Sequence, residues 1–254
     1  MSRWCSTSTV TSNLTNQAAQ SGWRSLGDSE SLIVGYPLGL FGQTAAAEVD
    51  TALGPSWNAG KCCGGASQNG IDDVGFARAI VQAVAAEANV DRTRVYAAGH
   101  SNGGSMSYRL GCEAADLFAG VAPVAELFLF VPAPCQPARP IPVIAFGGLH
   151  DPQEPYALVT ADFTAWRHLQ GCGSGPPDDR VDIGTSYCEI YRSCNAKARL
   201  LVSTQTTTVL MRLAFTSSRC STNAGWRNPG PEPRGSAKST HQICPRRIIG
   251  CGSG

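Results

Sequence analysis

Two hydrophobic periods alternate along this chain. Ser31 to Tyr36 (SLIVGY) is a short apolar run ended by Pro37, and it predicts a strand. From Asp72 the period lengthens. Phe76, Ile80 and Val84, with Ala77 and Val81 beside them, recur as one helical face, while Asp72 and Asp73 suit the N-cap and the positive end of the helix dipole. Arg94 to Ala98 (RVYAA) predicts a strand running straight into Gly99-His100-Ser101-Asn102-Gly103, and a helix starting at Asn102 would carry Met106 and Leu110. Leu117 to Val124 and Ile141 to Phe146 read as buried strands, Ala157 to Leu169 as a helix, and Ala198 to Val202 as a last strand. Strands alternating with helices imply an α/β protein, a mostly parallel sheet flanked by helices on both faces.

Three stretches differ in texture. Residues 1–30 are rich in Ser, Thr and Asn and irregular, apart from a short helix around Asn16 to Leu26. Residues 31–203 hold the α/β pattern. Residues 204–254 form a basic tail of low order: it carries 7 Lys+Arg against the single acid Glu232, whereas residues 1–203 carry 13 against 18. The stretch Asn228 to Ser236 (NPGPEPRGS) reads as loop or disorder.

The totals narrow the function classes. With 254 residues and 43% apolar content, one sizeable domain is expected. A net charge of +1 and only 15% charged residues point to neither nucleic acid nor an anionic membrane surface as a partner, and the longest apolar run, Leu127 to Val131, is far below the ~20 residues that span a bilayer. Eleven cysteines whose spacings do not suit zinc ribbons or fingers indicate an oxidising, extracellular setting. They cannot all pair within one chain. Residues 1–10 lack the apolar core of a secretory signal, and Asn13-Leu14-Thr15 is a glycosylation sequon.

Candidate chemistry concentrates at Ser101. A bare G-x-S-x-G often marks an ordinary loop, but here it joins a strand to a helix, the setting in which such a turn lifts a serine hydroxyl above a sheet edge. The backbone N–H of Asn102 would then be one oxyanion donor. A serine nucleophile needs a base and an acid, in the chain order Ser, Asp, His. Asp151 follows the apolar strand Ile141 to Phe146 and takes the acid's place, although an aspartate before Pro152 also suits a plain solvated turn. Of the four histidines, His100 lies inside the elbow, His150 neighbours the acid and His168 precedes Cys172 on a helix. His241 alone has the right chain order, and a surface histidine is its other reading.

Five segments in succession, Trp57-Asn58-Ala59-Gly60 with Cys62-Cys63-Gly64, Ile71-Asp72-Asp73-Val74-Gly75-Phe76, Asn89-Val90-Asp91 through Arg94-Val95-Tyr96, Gly99-His100-Ser101-Asn102-Gly103-Gly104, and Val121-Ala122-Pro123-Val124-Ala125, resemble the motifs of the secreted feruloyl esterase and polyhydroxybutyrate depolymerase family. The resemblance covers roughly residues 20–203. It implies an α/β-hydrolase that cleaves carboxylic esters through a serine acyl-enzyme, with no cofactor and no metal. The substrate would be a feruloylated polysaccharide or a polyester oligomer, and a monomer is expected. Ser101 matches the family nucleophile, and Asp151, followed by Pro155-Tyr156, matches the acid. The resemblance also implies disulfides Cys112–Cys135 and Cys188–Cys194.

The chain departs from the family at both ends. No histidine follows Leu200 to Val202, where the family places its base, and Ser31 to Tyr36 corresponds to the family's fourth strand, so three strands and the His-Gly segment with the second oxyanion donor are expected to be lacking. An internal start and a frame slip near Ser203 would explain both departures. A non-catalytic secreted binding protein, or an inactive truncated product of the same fold, is the competing reading. Sequencing the mature transcript across both ends is expected to show different ends; recovery of the same ends removes the idea.

Overall fold

The computed structural model describes residues 2–9, 21–40, 42–43, 49–50, 55–61, 64–125 and 134–203. Their centre is an eight-stranded sheet. In chain order its strands are β1 (Ser2–Thr9), β2 (Leu32–Gly35), β5 (Val90–His100), β6 (Gly120–Val124), β7 (Val143–Gly148), β8 (Asp179–Ile183), β9 (Ser186–Tyr191) and β10 (Ala198–Ser203). The two-residue strands β3 (Gly42–Gln43) and β4 (Val49–Asp50) pair separately. The spatial order is β2-β1-β5-β6-β7-β10-β9-β8. The first six are mutually parallel, and β9 and β8 extend the sheet antiparallel.

Alternation along the parallel strands separates two cores. Val95, Ala97, Val121, Val143, Ala145, Leu200 and Val202 face one side, where they meet Met106, Tyr108, Phe163 and Trp166. Tyr96, Ala98, Ala122, Ile144 and Phe146 face the other side, in clusters with Trp23 and with Cys188 and Ile190. This period of two on strands buried on both faces is what a covered parallel sheet requires. Helix α1 (Trp23–Glu30) lies on the second face; the short α2 (Gly64–Gln68) follows the Trp57 loop. Helices α3 (Asp73–Glu87), α4 (Asn102–Glu113) and α5 (Tyr156–Leu169) pack on the first.

The α4 helix is buried along most of its length, including Ser105, Ser107 and Tyr108. Gly111 lets α5 come close: a Cβ there would meet the Trp166 ring at 2.8 Å. The α3 helix begins as expected, with the Asp72 carboxylate accepting from the Gly75 N–H at 2.8 Å. Ala77, Ile80, Val81 and Val84 pack on the core as expected, and Phe76 is the exception. Val74 and Val81 are buried and Phe76 is exposed, lying against Trp57 with ring centroids 6.3 Å apart.

Two expectations are corrected. Residues 2–9, expected to be irregular, form strand β1 (Ser2–Thr9), inserted between β2 and β5, so the strand read as first is preceded by another in the sheet. The Cys188–Cys194 pairing is also wrong. Cys194 is bonded to Cys172, across 4.2 Å between Cα atoms, and Cys188 is disulfide-bonded elsewhere. Cys188 is buried mid-strand on the Phe146 face of the sheet, whereas Cys194 sits in the turn before β10, which is tied to the end of α5 by the Asn195 N–H on the Gln170 carbonyl at 2.9 Å. Cys112 and Cys135 are bonded as the resemblance implies. Replacing both by serine is expected to lower unfolding stability by about 3 kcal/mol, through the loop of 23 residues they close. Denaturant titration checks this, and an unchanged midpoint refutes it.

Candidate active site

The parallel strands all end on one rim, and the candidate residues gather there. Strand β5 ends at His100, and Ser101 follows with φ 54 and ψ −132 before α4 begins at Asn102. A side chain other than glycine rarely adopts that φ, so the turn is strained and has to be held by its surroundings. On the strand side, the Ser101 N–H donates to the Val124 carbonyl at 3.0 Å; on the helix side, the Ser101 carbonyl accepts from Gly104 at 2.6 Å and Ser105 at 3.2 Å. Ser101 remains partly exposed while Asn102 through Tyr108 are buried. Asn102 occupies the first helical position, at the positive end of the helix dipole.

Asp151 stands three residues past β7, in the loop Leu149 to Pro155. One of its carboxylate oxygens, Oδ1, accepts from the main-chain N–H groups of Gln153 at 2.9 Å and Glu154 at 3.1 Å, which fixes the loop. β7 is two strands from β5, about 10 Å along the rim. The charge of Asp151 reaches the elbow nonetheless: burial pushes the His100 imidazole below its ordinary value, and Asp151 pulls it partly back. Burial also raises the Glu154 carboxyl, assisted by Asp151 and Asp162.

The chain leaves β10 on the same rim. The Leu149 N–H donates to the Ser203 carbonyl at 2.9 Å, so whatever follows Ser203 starts beside the Asp151 loop. His241 lies outside the described residues, as do Leu127 to Val131, which the sequence allows either as core or as a pocket wall. His150 is exposed beside Asp151, and His168 is exposed near the end of α5.

A cluster that sequence reasoning missed lies under the elbow. The Asn102 side chain accepts from the Trp57 N–H at 2.7 Å and donates to the Trp57 carbonyl at 3.0 Å. Asn58 then donates its N–H to Asp73 at 2.6 Å and its amide to the Ile71 carbonyl at 2.8 Å, while its carbonyl accepts from Arg109. Burial raises the Asp73 carboxyl, opposed by the Asn58 N–H and the Arg109 charge and reinforced by Asp72. Trp57-Asn58 and Asp72-Asp73 stood out in the sequence; Arg109, seven residues past Asn102, was the signal left unread, since that spacing returns to the same helical face.

No family model matches the chain. It is 32% identical over 166 residues to feruloyl esterase B of Piromyces equi, which covers 58% of this chain and 30% of that protein. It is 26% identical over 171 residues to a bifunctional acetylxylan esterase/xylanase of Neocallimastix patriciarum, covering 67% and 22%. The chain thus spans less than a third of the length of both. Among solved structures it superposes on an acetyl xylan esterase from Aspergillus awamori with TM-score 0.61 at 12% identity, covering 81% and 84% of the two chains. A Bacillus cereus carboxylesterase gives TM-score 0.53 at 14% identity, covering 84% and 85%. The chain has the α/β-hydrolase fold.

The His100 shift carries a sign that can be measured. The folded state holds this imidazole neutral more firmly than the unfolded chain does, so the folded form binds fewer protons as pH drops below the ordinary value of 6.5. Stability is expected to fall between about pH 7 and pH 5, and less steeply in a His100→Gln variant. Equal slopes in chemical denaturation across that range contradict the assignment.

Proposed function

We propose that this chain is a secreted carboxylic ester hydrolase that forms an acyl-enzyme on Ser101. The observation that carries the reading is the strained, partly exposed serine between a parallel strand and the N-terminus of a buried helix. The names of its relatives, feruloyl esterase and acetylxylan esterase, support esters of plant cell-wall polysaccharides as the substrate class, in preference to a polyester. Two disulfides among the described residues support an oxidising location.

In this reading the Ser101 oxygen attacks the ester carbonyl, and the base takes its proton as the bond forms. The oxygen that gains charge is received by the Asn102 N–H at the helix start, where the dipole also favours a negative group. The protonated base then gives the proton to the departing alcohol, and water completes the reverse sequence on the acyl-enzyme. Asp151 orients the base and balances its charge. We assign the base to His241, on its chain order and on the exit of β10 beside the Asp151 loop.

A fluorophosphonate probe tests the nucleophile, since it reacts only with an activated serine. Covalent labelling is expected at Ser101 in the wild type and none in Ser101→Ala. His241→Gln is expected to lower kcat on p-nitrophenyl acetate by at least about 10³-fold. Labelling at another serine overturns the first assignment, and a His241→Gln variant with wild-type turnover overturns the second.

A further inference from the structure

The buried cluster beneath the elbow has a shape that packing alone does not require. Asn102 is 1% exposed and spends both ends of its amide on the main chain of a single residue, Trp57. A carboxamide presents a donor and an acceptor side by side in this way at any pH, whereas a carboxyl group does so only when protonated. The helix grips the same loop again at Arg109, two turns further on, through the Asn58 carbonyl. Between the two grips, Asp73, 2% exposed, holds the Asn58 N–H. The loop, α3 and α4 are thereby locked together through buried polar groups, which lose the most when one member is removed.

The position of the first grip gives it a role in catalysis. The Ser101–Asn102 peptide carries the oxyanion donor. Val124 holds that turn from the strand side and the first turn of α4 holds it from the helix side. The Asn102 side chain supplies a third direction, toward the Trp57 loop. Oxyanion donors act only when preorganised toward the developing charge, and a small misplacement is costly.

We propose that the Asn102 side chain is the positioning residue of the elbow, fixing the Ser101–Asn102 peptide through its double hydrogen bond to Trp57, with Asn58, Asp73 and Arg109 as the footing of that clamp. The proposal deepens, and rests on, the reading of Ser101 as nucleophile. Trp57 therefore acts through its main chain, and its buried ring, against Phe76, serves to seat the loop.

Asn102→Asp gives the sharpest test. The ionised carboxylate still accepts from the Trp57 N–H but faces the Trp57 carbonyl with a lone pair; once protonated, its O–H donates as the amide did. Fluorophosphonate labelling of Ser101 is expected to be about tenfold slower than wild type at pH 8, with the ratio returning toward one as pH falls toward 5, and kcat on p-nitrophenyl acetate should fall more than KM rises. Asp73→Ala removes the acceptor of the Asn58 N–H without altering Asn102 or Trp57, and so loosens the footing. In that variant hydrogen exchange at the Asn58 N–H should quicken and labelling should slow several-fold, which decides the matter even where Asn102→Asp fails to fold. Labelling at the wild-type rate in folded Asp73→Ala, or an Asn102→Asp ratio near one at every pH, overturns the clamp while leaving the hydrolase reading intact. A wild type that is not labelled at all overturns the hydrolase reading, and the positioning role falls with it.

Discussion

A residue with a side chain held at positive φ costs on the order of 1–3 kcal/mol, and the rest of this structure depends on that constraint being met at Ser101. A parallel strand arrives from one side and a helix departs on the other; the turn between them is shorter than either element tolerates without strain. Hydrogen bonds to Val124 on β6, to the first turn of α4 and from Asn102 to the Trp57 loop surround it. The sheet contributes rigidity to this arrangement, because β5 is paired in parallel on both edges, by β1 and by β6.

The same parallel order gathers the candidate chemistry. Every parallel strand ends on the rim where Ser101 stands, so loops far apart in the chain leave the sheet side by side. Asp151 follows β7, the segment beyond Ser203 follows β10, and the Leu149–Ser203 hydrogen bond joins those two exits. A single elongated row of strand ends thus brings the candidate nucleophile, the candidate acid and the chain leaving β10 to one rim without any of them being close in sequence.

Much of this was legible in the residues. The strands from β5 to β7, the helices α4 and α5, and β10 followed their apolar runs because strands covered on both faces need continuous hydrophobic sequence. The α3 helix was placed correctly, and Ala77, Ile80, Val81 and Val84 pack on the core as expected; Phe76 departs, exposed and lying against Trp57, because no helical period reveals a partner on a distant loop. Strand β1 escaped notice because Ser-Arg-Trp-Cys-Ser-Thr-Ser-Thr has almost no apolar content, and its place in the sheet comes from pairing with β2 and β5. The β8–β9 hairpin, turning at Gly184 with φ 62, has one exposed edge and so only a half-apolar pattern. The pairing of Cys194 with Cys188, which the resemblance implied, does not hold because Cys188 is buried on the Phe146 face of the sheet while Cys194 is bonded to Cys172 at the end of α5. The candidate nucleophile and acid were found by motif; the buried polar footing was not, since it joins three elements.

The central claim concerns a covalent bond to one oxygen. Mixing the folded protein with methyl ferulate, quenching in acid within milliseconds to seconds and mapping the peptides by mass spectrometry observes that bond directly. The account predicts a feruloyl group on the peptide containing Ser101, at a level that rises and then holds steady as product accumulates. Ferulate released with no acyl group on that peptide at any quench time contradicts it.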